Sequence, residues 1–274
     1  MSDKDGPEKN SSRKSILLVN DDGVGAPGIK HLYDAFSSRH NVVVVAPRRE
    51  QSGVSHSFTF RGYLRYEPIP DHYRMNGFVL DGTPSDCVKF AVGHLFPQKP
   101  DAVVSGMNVG ENSGLSGFYS GTVAGAREGA FWDIPSFAFS VDETGEEYSV
   151  LYAVQALFLF NNLMQRARID LREAGYRVYF NVNFPACTPN RCSGVKLTRQ
   201  SCAFFDDRYR CVRDKQGREQ FCLFGKKVEL ETSDDFDSRA LLNNFITITP
   251  LHFDATAYDV LQRMTLPSVF KEGA

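Results

Sequence analysis

Ser15-Ile16-Leu17-Leu18-Val19-Asn20-Asp21-Asp22-Gly23 is the stretch that decides the fold. Its apolar run, free of charge, predicts a strand buried on both faces, and the run stops at Asn20 with two carboxylates and a glycine. An Asp-Gly pair on its own makes a turn, because both residues suit a tight reversal of the backbone. Two unneutralised acids side by side also repel each other, and a hard divalent cation, which takes carboxylate oxygens, would relieve that repulsion. The stretch alone leaves turn and cation site both open.

Working outward, Val24-Gly25-Ala26-Pro27-Gly28-Ile29 leads into a helix: Pro27 suits a first turn, and Ile29, Leu32, Tyr33 and Phe36 recur at helical spacing as far as Ser38. Residues 41–46, with Val42 to Val45 consecutive, are a second fully buried strand. Strand, helix, strand with all-apolar strands predicts a parallel βαβ unit, and the fold expected is α/β: a Rossmann-like, doubly wound, mostly parallel sheet. The loop of residues 47–57 is polar and rich in hydroxyls. Strands are expected over 58–66 and 73–80, separated by Pro68 and Pro70. Thr83 caps a helix running to about residue 95, with Pro84 in its first position and Asp86 favouring its N-terminus. A short core strand at 101–105 opens into a glycine-rich loop, 106–122, and a helix from about 122 to 131. The amide groups at that helix start, with the Ser120 and Thr122 hydroxyls, would suit a phosphate. The loop lacks the Gly-Lys-Ser/Thr ending of a Walker A motif.

A strand at 135–141, a long helix at 148–172 and a strand at 177–183 follow. Beyond Pro185 polar and aromatic residues alternate, and Asp214-Lys215-Gln216-Gly217 reads as a turn, which predicts an antiparallel hairpin arm or subdomain. A helix at 234–242, a strand at 245–250 and a helix around 257–264 complete the chain. The expected organisation is a disordered tail over 1–14, a core with the active site over 15–185, and a hairpin arm with a C-terminal segment over 186–274 used in oligomerisation.

Of the 274 residues, 31 are Lys or Arg and 33 Asp or Glu, so the basic excess left by nucleic-acid or membrane-surface binding is missing. The first fourteen residues are polar and charged, unlike a signal peptide or anchor. A soluble, cytoplasmic chain is expected. Five of the six cysteines fall between 187 and 222, without a Cys-x-x-Cys pair or a histidine among them, so free thiols are expected rather than zinc.

Ligands of an open parallel sheet sit outside the carboxyl ends of its strands, where neighbouring loops diverge. Asp21 and Asp22 follow the first strand, Ser52 lies in the loop after the second, and Asn108 in the loop after the strand ending at Ser105. Two carboxylates, a hydroxyl and an amide oxygen suit magnesium, manganese or calcium, not zinc or copper. Such a metal polarises a phosphoryl group and acidifies water, which points to hydrolysis of a phosphomonoester.

These residues resemble the SurE survival-protein family of metal-dependent nucleoside monophosphate phosphatases. Residues 16–23 with Ala26-Pro27-Gly28-Ile29 are similar to its first signature. Ala46-Pro47 with Gln51-Ser52-Gly53, Gly82-Thr83-Pro84-Ser85-Asp86-Cys87, Ser105-Gly106-Met107-Asn108-Val109-Gly110 and Tyr119-Ser120-Gly121-Thr122-Val123 resemble later motifs, as do Asn181-Val182-Asn183-Phe184-Pro185 and Ile246-Thr247-Ile248-Thr249-Pro250-Leu251. The resemblance implies a divalent metal ion, Mg2+ or Mn2+, one per subunit, on Asp21, Asp22, Ser52 and Asn108, with Asp21 and Asp22 catalytic. It implies substrate or phosphate contacts at Asn20, Gly53, Asn112, Ser120, Gly121 and Thr122. It further implies 5′- and 3′-nucleotidase activity, exopolyphosphatase activity as in some members, and a homodimer or homotetramer built by exchanging C-terminal segments. Arg48 stands where the family usually has Asp, and Gly25 where it has a larger residue; both border the site and bear on substrate preference.

Loop serines and asparagines usually serve loop hydrogen bonding, and it is the joint placement of Ser52 and Asn108 that sets them apart. His56 is read as a hydrogen-bond partner within its loop, with proton transfer the alternative. The two acids can divide metal binding and proton sharing with the leaving oxygen either way. The same fold could instead be a non-catalytic nucleotide-binding module or a transferase; a module would bind nucleotide without releasing phosphate, and a transferase would need a second substrate.

Overall fold

The computed structural model describes residues 13–173 and 178–264. The first part runs β1 (Ser15–Val19), α1 (Pro27–Ser37), β2 (Asn41–Pro47), β3 (Tyr66–Pro68), β4 (Gly77–Leu80), α2 (Pro84–Phe90) and β5 (Ala102–Val109). Next come α3 (Ser116–Tyr119), α4 (Gly121–Phe131), β6 (Ser136–Val141), α5 (Ser149–Glu173) and β7 (Val178–Phe184). The remainder is β8 (Gly194–Leu197), β9 (Phe204–Phe205), β10 (Arg208–Arg213), β11 (Glu219–Phe224), β12 (Lys227–Val228), α6 (Asp237–Leu242), β13 (Phe245–His252) and α7 (Tyr258–Arg263).

Nine strands form one sheet in the order β3-β4-β2-β1-β5-β6-β7-β13-β8. Its six central strands are mutually parallel, and numbered among themselves they follow the doubly wound order 3-2-1-4-5-6. The chain reverses direction across the sheet between β1 and β5, so a crevice opens there at the carboxyl ends. The apolar run of β1 serves both faces. Ile16 and Leu18 pack with Ile29, Leu32 and Phe36 of α1 and with Tyr152 and Phe160 of α5. Leu17 and Val19 pack on the other face with Cys87 and Val88 of α2. Such two-sided burial is what a strand without polar alternation demands.

On that second face α4 lies unusually close to the sheet. A Cβ added at Gly125 would stand 2.8 Å from Ser105 Oγ, and one at Gly129 2.3 Å from Ser136 Oγ. With Gly121, these glycines recur every fourth residue and line one side of the helix.

Several expectations need correction. Residues 58–65 form no strand: the Thr59 amide and hydroxyl bond the Asp86 carboxylate (2.8 and 2.9 Å) rather than a neighbouring strand. Residues 71–73 make a 3-10 turn and Arg74 takes a left-handed conformation (φ 54), which delays β4 to Gly77. Residues 196–197 belong to β8, which pairs in parallel with β13, so β8 and β13 extend the main sheet beyond residue 185. The projecting hairpin is β10–β11, closed by the expected turn at Asp214, whose carbonyl accepts from Gly217 N–H at 3.0 Å. The expected disordered tail lies outside the described residues up to residue 12, while Arg13 is anchored on the Ser37 and His40 carbonyls at 2.6 and 2.9 Å. No helix among the described residues is long and apolar enough to cross a membrane.

Candidate active site

Asp21 and Asp22 leave the end of β1 at the crevice. Gly23 makes the turn at φ +90, and a Cβ there would lie 3.2 Å from the Arg49 carbonyl carbon, so the chain needs glycine on both counts. The turn is tied to the next loop by Val24 N–H to the Pro47 carbonyl (2.9 Å) and Gln51 N–H to the Asp21 carbonyl (2.7 Å), which brings Ser52 and Gly53 alongside. From the other side comes β5. Between Ser105 and Asn108 it carries one residue more than β6, a bulge made by Gly106 (φ +128) and Met107. The bulge ends the regular pairing and re-aims Asn108. Asn108 Nδ2 donates to the Gly110 carbonyl at 2.5 Å, which orients the side-chain amide.

Asp21 is 3 % exposed, and its carboxylate is gripped by the start of α4. Thr122 N–H donates to Oδ2 at 3.1 Å and the Thr122 hydroxyl to Oδ1. Only glycine fits at 121, where a Cβ would come within 2.8 Å of Asp21 Cβ. Burial raises the Asp21 pKa, opposed by the Thr122 hydroxyl and by backbone hydrogen bonds including those of Thr122 and Gly121. Asp22 is less enclosed. Its pKa is pushed up to about 7, first by burial, then by the charges of Asp21 and Glu50, against a hydrogen bond from the Val109 backbone. No Lys or Arg among the described residues is ion-paired with Asp21, Asp22 or Glu50.

The helix start therefore does not stand open to phosphate as expected. A carboxylate of the chain already occupies its amides, and the Ser120 hydroxyl caps the helix by accepting from Val123 N–H at 3.0 Å. Asn112 is likewise committed: its N–H donates to Asn183 Oδ1, its Nδ2 to Ser140 Oγ, and its carbonyl accepts from Asn181 Nδ2, all at 2.8 Å. Asn20 is fully buried, donates to the Gly23 carbonyl at 2.9 Å and leaves Oδ1 without a partner. Ser52 and Gly53 are exposed, with Ser52 Oγ donating to Glu50 Oε1 at 2.7 Å and open space around Gly53. His56 is turned to Glu128 Oε2 (2.9 Å) and stacks on Phe131, which makes it an anchor of its loop. Arg48 pairs with Glu67 (2.6 Å) and Asp81 (2.5 Å). Beside Gly25, the Tyr73 hydroxyl lies 3.4 Å from where a side chain would begin.

Glu50 escapes a sequence reading. Its one signal is an acid two positions before Ser52, and its charge acts on Asp22 through space.

The geometry fits a hard cation. Uncompensated acids surround Asp22, the donors are all oxygens, and the buried Asn20 Oδ1 lacks a donor. Among the described residues no three or more His, Cys, Asp or Glu side chains cluster to hold a metal, so the set depends on the hydroxyl and amide beside the two carboxylates.

The sequence model of the family described as Survival protein SurE matches residues 16–207. This chain belongs to the SurE family. The 5′-nucleotidase SurE of Syntrophobacter fumaroxidans is 39 % identical over 249 residues, covering 91 % of this chain and 97 % of the relative. That of Thermosynechococcus vestitus is 39 % identical over 257 residues, covering 91 % and 95 %. The crystal structure of the SurE protein from Aquifex aeolicus superposes with a TM-score of 0.77 at 34 % identity, covering 94 % of this chain and all of that one. The SurE resemblance expected from the motifs is borne out, and so is the α/β fold.

Proposed function

We propose that the chain is a divalent-metal-dependent phosphomonoesterase that hydrolyses nucleoside 5′-monophosphates, with 3′-monophosphates and short polyphosphate as further substrates. The observation that carries this is the pair Asp21–Asp22, without a basic ion-pair partner among the described residues, at the crevice between β1 and β5. The relatives' names, 5′-nucleotidase SurE, support the same activity and lend nothing to a non-catalytic binding module.

Asp21, Asp22, Ser52 and Asn108 would hold the ion, magnesium or manganese, one per subunit. Such an ion supplies charge neutralisation at the phosphoryl group and acidifies water. The chain does the rest. The Thr122 hydroxyl and the start of α4 fix Asp21, so its carboxylate needs no reorganisation when substrate arrives. Asp22 is half-buried and reaches solvent, which makes it the acid able to meet the leaving oxygen and share a proton with it. The open Ser52-Gly53 turn gives the phosphate room beside the acids.

The β10–β11 hairpin exposes Tyr209, Phe221 and Leu223. An isolated two-stranded ribbon is marginal in water, so we assign it to subunit contacts in a homodimer or homotetramer, with the C-terminal segment contributing. Six unpaired cysteines suit a cytoplasmic location.

The test is phosphate release from a panel of nucleoside monophosphates and polyphosphate with Mg2+, Mn2+ or EDTA. Release should require metal. Partners one shell removed from a metal cost 10–100-fold when lost, so Asp21→Asn should cost at least about 100-fold. Unimpaired turnover in that variant would overturn the metal assignment.

A further inference from the structure

Cys187 and Cys192 are separated in sequence by a 3-10 turn, Pro189–Arg191, that follows β7, and the turn folds their sulfurs to 3.8 Å apart. Both side chains are half-buried, so small reagents reach them while the turn holds them together. The turn is rigidly framed. Cys187 N–H donates to the Pro185 carbonyl (2.8 Å) and Arg191 N–H to the Thr188 carbonyl (2.9 Å). Behind it stands Tyr152 of α5, fully buried and stacked on Phe184 at 4.5 Å, with its hydroxyl on the Cys187 carbonyl (2.6 Å) and 3.2 Å from Cys192 Sγ.

The other thiols lack this arrangement. Cys87 is fully buried. Cys211 and Cys222 sit on paired strands, but the register sets Cys211 opposite Phe221 and Cys222 opposite Arg210, so the two cysteines face opposite sides of the ribbon. Cys202 is exposed.

We propose that Cys187 and Cys192 form a dithiol site that small-molecule disulfides oxidise to an intrachain bridge, which staples the segment after β7. One thiolate attacks the small disulfide, forming a mixed disulfide and releasing one small thiol. The second cysteine, deprotonated, then attacks the protein sulfur of that mixed disulfide, forming the Cys187–Cys192 bond and releasing the second small thiol. Two protein thiols are oxidised and one small disulfide is reduced to two thiols. Bridging closes the sulfurs from 3.8 Å to bonding distance, about 2 Å. The inference is independent of the proposed phosphatase activity.

The test uses the full reduced chain, incubated undenatured with excess oxidised glutathione, then blocked with N-ethylmaleimide and digested with trypsin. Arg191 lies between the two cysteines, so digestion cuts the turn and leaves two peptides joined only by the bridge. The expected result is that linked pair, two hydrogens lighter than the reduced peptides, abolished by dithiothreitol, with Tm higher by about 2–6 °C in the oxidised chain. Cys192→Ser and Cys187→Ser should each trap glutathione on the remaining partner and lose the Tm increase. Glutathione retained separately on Cys187 and Cys192 of the unsubstituted chain would overturn the proposal. So would reaction confined to Cys202, Cys211 and Cys222.

Discussion

Replacing Asp22 by Asn removes a charge from a half-buried position beside Asp21 and Glu50. In the folded chain the Asp22 carboxyl is displaced from 3.8 to about 7, by burial first and then by Asp21 and Glu50. The native state therefore holds this proton more tightly than the unfolded chain does. Stability tied to it is fully present below about pH 4 and is lost as pH rises through about 7. The displacement corresponds to about 4 kcal/mol in full; Asp22 is only partly enclosed, and solvent screening brings the expected effect down to about 2 kcal/mol. In EDTA, thermal melts followed by circular dichroism should show the two proteins melting together near pH 4. By pH 8 the Asp22→Asn chain should melt about 4 °C higher. Saturating Mn2+ should reverse that order, because a ligand at a hundred times its Kd adds about 2.7 kcal/mol to the chain that binds it. A difference in Tm that stays constant from pH 4 to 8 would refute the reasoning.

Gly125→Ala gains about 1 kcal/mol of helix propensity but drives a methyl to 2.8 Å from Ser105 Oγ and 3.1 Å from Val19 Cγ2. Overpacking of about 1–3 kcal/mol should win; a Tm equal to or above that of the unsubstituted chain would count against the close α4 packing. Thr122→Val removes the hydroxyl that most opposes the burial of Asp21, so the Asp21 pKa rises further and the acidic limb of the kcat/KM profile moves to higher pH. An unmoved limb would mean that Thr122 does not tune Asp21. Asn183→Ala strips the acceptor from the buried Asn112 N–H, and urea unfolding should show a loss of about 1–3 kcal/mol.

The alternation of Ile16 and Leu18 with Leu17 and Val19 between two cores is the structural form of an unbroken apolar run, which is why the central sheet could be read from the residues alone. The shared edge of Asp21, Asp22 and Asn108 follows from parallel strands and needs no side-chain detail. What could not be read depends on contacts remote in sequence. The bond from Thr122 to Asp21 spans 101 residues, and it turned a helix start that looked open to phosphate into the holder of a carboxylate. Residues 58–65 have the aromatic and β-branched composition of a strand, yet Asp86 claims the Thr59 amide. The place of β8 in the main sheet depends on a register with β13 some fifty residues later, which alternation in β8 cannot disclose.

The contacts that orient the two acids have a consequence for synthesis. Gln51, Val109, Gly121 and Thr122, which hold Asp21 and Asp22, all precede residue 123. The loop beside them is instead pinned from the far end of the chain: Asn112 by Asn181 and Asn183, Ser113 by Lys227, and Gly114 by Asp237. A domain folds as a unit, and Ile16 and Leu18 of β1 share their core with Tyr152, Phe160, Ile246 and Ile248, so on a ribosome even the acids wait for the second half of the chain. The glycine-rich loop must wait for the last strands. The residues of the cleft are thus made early and assembled late, and the finished protein acquires its complete cleft only once Asp237 and β13 have been made.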